Sequence, residues 1–378
     1  AGEYCLLNPN GGAVALFTTT RLVYANGNYS ISLKLYKNLF PEDGSIPTLG
    51  EVYMKTKQQE ASTTTGINHL NFSLLGDPAL KLNIPKQKVY TTTINSSDAV
   101  GFSDTISALE KVVITGYVGD SDSMPIMDFN GIVDIVVKDK VSQMQTLVNN
   151  GYDPFVYNDW NKDLYKGKAS VVNGEFSFEF VVPRDIVFSV GAGRISYYAY
   201  SADNDAMGHG NGILIGGESN NAIADDKGPD ISLFMNETSF VSGDKISSSP
   251  YLLAFLKDST GINTTGNGIG HDIVAFLDGD ESTTKVLNNY FSSDLDSYTQ
   301  GQVLYPYEDL EEGSHTLTFR AWDANNNPSD ASIKFIVTTK DELIFEDLLN
   351  YPNPVTEETT FRFKHNLGNE EVTAVLRI

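Results

Sequence analysis

At 378 residues the chain exceeds one ordinary domain, and about two to four are expected. Its 49 acidic residues outweigh 26 basic ones, and the formal charge of -23 argues against nucleic acid, since phosphate binding needs clustered Lys and Arg. The single cysteine, Cys5, excludes an internal disulfide and a zinc cluster, and no apolar run reaches membrane-spanning length.

The first segment, residues 1–85, is organised around Gly11 to Tyr24, GGAVALFTTTRLVY. Val14 to Phe17 run apolar without alternation and β-branched Thr18 to Thr20 follow, the pattern of a strand buried on both faces, as in parallel sheets covered by helices. Asn26-Gly27-Asn28 is expected to turn. Tyr29 to Phe40 carries Ile31, Leu35 and Leu39 at helical spacing. Thr48 with Glu51 three residues on is a capping box, which predicts a helix from about Leu49 to Glu60 with Val52 on its covering face. Gly76-Asp77-Pro78 is a tight turn between two short apolar runs, FSLL and ALKL. Strand, two helices, turn and strand make half of a layered α/β domain.

Residues 86–222 change character. KVVITGYV (Lys111 to Val118), GIVDIVV (Gly131 to Val137), EFSFEFVV (Glu175 to Val182) and RISYYAYS (Arg194 to Ser201) read as strands of an antiparallel sandwich. Phe176, Phe178 and Phe180 recur every second residue, giving one strand face a greasy surface. Asn149 to Trp160 reads as a long loop whose Tyr152, Phe155, Tyr157 and Trp160 are expected to pack over the sandwich end. A sugar or partner platform is the minority reading.

Residues 223–338 repeat the theme as a second, Ig-like sandwich. Ser232 to Met235, Leu252 to Lys257, Asp272 to Leu277, Thr316 to Trp322 and Ser332 to Val337 are its strands. Residues 339–378 read as the front of a third β-module. A helical or extended linker, Asp341 to Asn350, is followed by NYPNP, then strands at Thr359 to Lys364 and from Val372. Acidic charge over β-rich modules fits a secreted or surface protein. There is no basic segment followed by an apolar one of the signal-peptide kind. The chain opens in mid-fold and closes on an unfinished strand, VTAVLRI, as an internal fragment would.

Chemistry is sparse. A nucleophilic Cys5 needs a base, and His69 is the one histidine in the same segment. A structural role for Cys5 is the favoured reading. His209 and His271 fall in Gly-rich loops; His315 and His365 sit beside strands. None has metal-ligand spacing, so no zinc site is expected. The Gly-rich loops do not precede helices, which argues against phosphate binding.

Four acidic loops offer oxygen ligands to calcium: Asp120 to Asp122, Asp203 with Asp205, Asp278 with Asp280 and Glu281, and Asp323 to Asn327. The last begins like an EF-hand. It then has Pro328 where Gly is needed and Lys334 where the bidentate Glu belongs. Ordinary Asx-type turns are the favoured reading at each, and no strong calcium dependence is expected.

GGAVALFTTTRLVY, the helices after it and NFSLLGDPALKL resemble the closing third of a gingipain-like cysteine peptidase domain. GNGIGHDIVAFLDGD and EGSHTLTFRAWD look like one branch of that family, the sortases of type IX secretion. NYPNPVTEETTFRF is similar to the start of the C-terminal β-domain of type IX cargo. The resemblance implies a mainly β, multidomain chain: the end of a caspase-like α/β domain, two Ig-like sandwiches and the start of a C-terminal β-domain. It implies an outer-membrane, cell-surface cysteine endopeptidase and transpeptidase that removes C-terminal signal domains from cargo and joins the cargo to lipopolysaccharide. The implied partners are a preceding catalytic half of the same protein, other type IX components and cargo signal domains, with no cofactor. The family's Cys/His dyad belongs before residue 1, so no catalytic residue is assigned here, Cys5 included, and the chain alone is expected to be inactive. The alternative is a non-catalytic adhesin or carbohydrate-binding array of Ig-like modules, in which the front strand and its two helices would have no purpose.

Overall fold

The structure, a computed structural model, describes residues 2–8, 11–63, 67–149, 151, 153–265, 270–338, 345–351 and 358–365. The chain is mainly β in several sheets, and divides into two compact units, Ala1–Pro85 and Lys86–Ile378.

The first unit contains α1 (Gly2–Leu7), β1 (Ala15–Thr19), α2 (Ala25–Leu39), α3 (Leu49–Thr63) and β2 (Phe72–Gly76). β1 and β2 pair antiparallel, with Ala15 opposite Gly76 and Thr19 opposite Phe72. This corrects the parallel, fully buried strand expected from sequence: every β1 residue is half-buried. The unbroken apolar run still reflects cover on both faces, though incomplete and in an antiparallel pair. Phe17 stacks on Phe72 at 5.4 Å and meets Tyr53 of α3 edge-on at 5.6 Å, while Leu16 and Thr18 lie against Gly2 of α1.

Asn26-Gly27-Asn28 forms the first turn of α2 and not a separate turn. Asn68 makes this start. Its Oδ1 accepts from the Tyr24 amide at 2.9 Å and its Nδ2 reaches Asn28 Oδ1 at 3.4 Å. Gly27 leaves the space, for a Cβ there would lie 2.4 Å from Asn68 Nδ2. Ile31 is buried and Leu35 and Leu39 half-buried, so the expected face does turn inward. The capping box closes as read: Glu51 Oε2 accepts from the Thr48 amide at 2.8 Å, and Thr48 Oγ1 from the Glu51 amide at 3.2 Å. The turn after β2 docks on this helix start, with the Pro78 carbonyl accepting from the Gly50 amide at 2.8 Å.

The second unit opens with β3 (Gln87–Ile94), β4 (Ser97–Asp98), β5 (Thr105–Ala108), β6 (Lys111–Gly119), β7 (Gly131–Lys138), β8 (Ser142–Gln145), β9 (Val156–Asp159), β10 (Asp163–Val171), β11 (Glu175–Val181), β12 (Gly191–Tyr200) and β13 (Asp205–Glu218). Seven of them run β10-β7-β12-β13-β3-β6-β11, with β4 and β5 attached. The sheet folds over so that its two ends meet: Tyr165 of β10 stacks on Phe180 and Phe178 of β11 at 4.9 and 5.6 Å. The Phe176, Phe178 and Phe180 side chains are all buried there with Ile114, Val133, Ile135 and Ile195.

β13 corrects the sequence reading of MGHGNGILIGG as a loop. Gly208 leaves space for neighbouring backbone: a Cβ there would fall 2.1 Å from the Val89 carbonyl of β3, so only glycine lets these strands approach. The expected loop over 149–160 is also corrected. β8 and β9 pair as a hairpin, with Gln145 opposite Val156.

The remaining strands are β14 (Asp230–Met235), β15 (Lys245–Ile246), β16 (Tyr251–Lys257), β17 (Val274–Leu277), β18 (Asp280–Val286), β19 (Phe291–Ser293), β20 (Gln300–Pro306), β21 (Gly313–Trp322), β22 (Pro328–Val337), β23 (Phe345–Tyr351) and β24 (Thr360–His365). A four-stranded sheet, β14-β16-β20-β19, faces a five-stranded one, β15-β22-β21-β17-β18. Leu252, Leu256 and Val303 from the first meet Ala275, Phe319 and Phe335 from the second, all buried. β23 pairs antiparallel with β24, so the linker read from sequence is extended where it is described. NYPNP beyond Tyr351, and the strand expected from Val372, lie outside the described residues.

The two sandwiches are bonded to one another. Both Asp296 oxygens accept from Ser170, its amide and its hydroxyl, at 2.6 Å each, and the Arg184 amide donates to the Ala324 carbonyl at 2.8 Å.

Candidate functional site

Cys5 is exposed on α1, and His69 lies in a short 3-10 turn at Asn68–Asn71. Cys5 therefore stands on a short helix. Among the described residues no hydrogen bond joins the two side chains, and the buried His69 Nδ1 has no hydrogen-bond partner.

The seam between α2 and α3 is polar, which the apolar spacing of α2 concealed. On α3, Val52, Thr56 and Glu60 are buried at successive turns. Glu60 Oε2 accepts from Ser30 Oγ at 2.8 Å and from Lys34 Nζ at 2.5 Å, while Thr56 Oγ1 accepts from Asn38 Nδ2 at 3.0 Å. Burial works against a charged Glu60, but the bonds from Lys34 and Ser30 outweigh it and hold its carboxyl below the ordinary range. At the other end of the helices an open, mostly apolar cavity is lined by Val14, Phe17, Leu35, Leu39, Val52 and Leu74.

Of the loop aromatics, Phe155 and Tyr157 are exposed on the hairpin, against the expected packing. Trp160 is half-buried, with the Arg194 guanidinium 5.6 Å from its ring centre. Tyr152 lies outside the described residues.

The histidines are scattered. His209 is in β13. His271 Nδ1 bonds Asp185 at 2.8 Å and its ring lies 4.4 Å from Trp322. His315 bonds Asp278 at 2.7 Å and the Glu311 carbonyl at 2.8 Å, and His365 ends β24.

Three of the four acidic loops spend their oxygens on protein donors. Asp120 accepts from the Asp122 and Met124 amides, Asp205 from Tyr198, Asp278 from Thr316 and His315, and Asp280 from the Ser282 amide. Asp323 takes the Asn327 amide at 2.6 Å and its Nδ2 at 2.8 Å, bonds to a residue four positions on and not the two of an ordinary Asx turn. It also meets two residues that sequence reading did not single out. One oxygen from each of Asp225, Asp258 and Asp323 lies within 4.8 Å of the others. Burial, with the neighbouring Asp258 and Asp225 charges adding to it, pushes Asp323 up to about 6. Burial likewise raises Asp258, whereas the Ser259 hydroxyl and the Lys227 amide hold Asp225 below its usual value.

Residues 1–83 match the model of peptidase family C25. Among solved structures, dimeric latent PorU from Porphyromonas gingivalis is 33% identical over 93% of this chain, with a TM-score of 0.43. The chain spans 34% of the length of that protein. Fibronectin(III)-like modules of Clostridium thermocellum CbhA are 13% identical, covering 66% of this chain and 94% of their own, with a TM-score of 0.20. A bacterial ice-binding adhesin is 13% identical, covering 71% of this chain and 68% of its own, with a TM-score of 0.19. No curated protein matches. The family match and the identity to PorU make this a gingipain-like, PorU-like chain.

Proposed function

We propose that this PorU-like chain is the C-terminal portion of a cell-surface sortase of type IX secretion. That enzyme would be a cysteine endopeptidase and transpeptidase at the outer membrane. It would cut the C-terminal signal domain from cargo and transfer the new carboxyl end to surface lipopolysaccharide. The reading is carried by one observation: the C25 match at the front runs on into β-rich sequence that stays similar to PorU, at 33% identity over 93% of this chain.

The chemistry would divide as follows. A cysteine thiolate breaks the peptide bond before the signal domain, which leaves as a free amine, and holds the cargo as a thioester. An amine of the acceptor then forms the new amide bond and releases the thiolate, with histidine moving the protons. In this proposal the nucleophile and histidine come from a catalytic part of the protein outside these residues, and Cys5 takes no part. The described residues would supply the closing strand pair and helices of the peptidase domain. The bonded sandwiches would set where cargo and other secretion components meet it.

The test is an assay of the full-length protein with a cargo substrate bearing its C-terminal signal domain and an amine acceptor. Release of the signal domain together with acceptor-linked cargo, undiminished by Cys5→Ser, is the expected result. Failure to cleave any such cargo would sink the sortase reading, and activity abolished by Cys5→Ser would overturn the placing of the nucleophile.

A further inference from the structure

Three carboxylates distant in sequence converge in the second unit. Asp225 lies in the linker between β13 and β14, Asp258 just after β16, and Asp323 just after β21. Asp258 and Asp323 are buried and Asp225 half-buried. Their hydrogen-bond donors are neutral. Asp258 takes the Thr260 amide and hydroxyl, Asp323 the Asn327 amide and side chain, and Asp225 the Ser259 hydroxyl and the Lys227 backbone amide. Neutral donors leave converging negative charge in a low dielectric, and although Lys227 stands near Asp225, a bound cation would relieve that cost.

A separate observation points the same way. Asn325, 5% exposed, stands in the turn that carries Asp323. Its Nδ2 donates to the Ile223 carbonyl at 2.9 Å and reaches the Asp225 carbonyl at 3.5 Å, so its amide is packed against the linker at Asp225. The Oδ1 of that amide is buried with no hydrogen-bond partner. A buried acceptor is rarely left so, and an ion or its bound water is a natural partner.

We propose that Asp225, Asp258 and Asp323 together hold one divalent cation of the calcium kind, with the Asn325 amide oxygen completing its oxygen shell. The donor set favours this ion. It contains neither His nor Cys, which disfavours zinc. The three oxygens lie close enough to share one ion. Calcium accepts a full set of protein oxygens, whereas magnesium dehydrates reluctantly and keeps several waters. An open cavity lined by Asp225, Asp226, Asp230 and Asp258, with Lys227 and Lys257 at its side, gives the ion a way in. The bound ion ties the linker between the sandwiches to the second sandwich. Sequence reading expected no strong calcium dependence because the Asp323 loop fails as an EF-hand; Asp225 and Asp258 lie outside the four loops it weighed.

The test is calorimetric titration of chelator-treated protein with calcium chloride, beside thermal melts with and without the ion. Saturable binding at one site, a melting temperature raised by several degrees, and affinity at least tenfold weaker in both Asp225→Asn and Asp258→Asn are expected. No saturable binding up to millimolar calcium overturns the site. So does affinity unchanged in both variants, which places the ion elsewhere on this acidic surface. Magnesium producing the same shift at the same concentration overturns the calcium assignment. If Asp258→Asn does not fold, Asp225→Asn, at a half-buried position, decides alone.

Discussion

Asp185 accepts a hydrogen bond from His271 Nδ1 at 2.8 Å, and this contact joins the first sandwich to the second. The same carboxylate takes Asn263 Nδ2 at 3.1 Å and Asn326 Nδ2 at 2.6 Å. One acceptor thus satisfies three donors from the second sandwich. Removing it takes the acceptor from all three, although Asn263 Nδ2 keeps Asn326 Oδ1 at 3.1 Å, and this costs more than the loss of any single bond. Asp185→Ala is expected to lower stability by about 2–4 kcal/mol, read from the denaturant midpoint at constant slope. A change under about 0.5 kcal/mol would show that water replaces the carboxylate freely.

The reciprocal bonds between Thr48 and Glu51 satisfy two amides that the start of α3 would otherwise leave open. Thr48→Ala should destabilise the first unit by about 1 kcal/mol, while Thr48→Ser, which keeps the hydroxyl, should cost a few tenths. Melts of both variants check this, and equal losses would contradict a capping role.

The polar seam makes a larger demand. Glu60 is buried, and its removal leaves Lys34 without the carboxylate that Nζ meets at 2.5 Å. Lys34 is part-exposed and can turn to water, which moderates the loss. Glu60→Ala is expected to cost about 2–3 kcal/mol. Because its folded carboxyl titrates below the ordinary value, Glu60 adds stability above the ordinary glutamate range and loses it as pH falls through the depressed value. Acid unfolding of Glu60→Gln should accordingly be less steep than that of the parent protein.

What could be read in the sequence was local. The Thr48–Glu51 spacing, the Ile31, Leu35 and Leu39 face and the alternating Phe176, Phe178 and Phe180 each encode their structure within a few residues. β13 was hidden because glycine carries no side chain to show alternation, and the reason for Gly208 lies on Val89 of another strand. The polar seam was hidden because a buried Glu60 looks, in sequence, like any solvated helix position. Asp225, Asp258 and Asp323 were hidden for the same kind of reason: only the fold brings them within 4.8 Å. Their meeting has no spacing to search for.

His315 offers a pH test independent of these. Burial alone would lower its pKa, but Asp278 Oδ2 and the Glu311 carbonyl, one at each ring nitrogen, outweigh it and raise it. A raised folded pKa means stability that is fully present below the ordinary histidine value, near pH 6.5, and is lost as pH rises through the raised one. Ring-proton titration by NMR should place His315 above an exposed histidine, and Asp278→Asn should bring it down. A His315 titration unmoved by Asp278→Asn would remove Asp278 as the cause.

The last prediction concerns β1. Two paired strands are marginal by themselves, and among the described residues the β1 ladder partner is β2. All five β1 residues are half-buried, Val14 before them is exposed, and the cavity beside Phe17 stands open. In the sandwiches, by contrast, Ile114, Ile135, Phe319 and Phe335 are each fully enclosed. If the proposed catalytic part completes this sheet, β1 should be ordered in its company and weakly held without it. Hydrogen exchange on the 378-residue chain should then be fast across Gly12 to Tyr24 and slow across β6, β7, β21 and β22. Leu16→Ala should cost about 2–5 kcal/mol in the complete protein and distinctly less in this chain alone, where the side chain is already half-exposed. Full protection of Gly12 to Tyr24 in a proven monomer would mean that α1, α3 and β2 suffice to hold the strand, and the need for a completing part would fall.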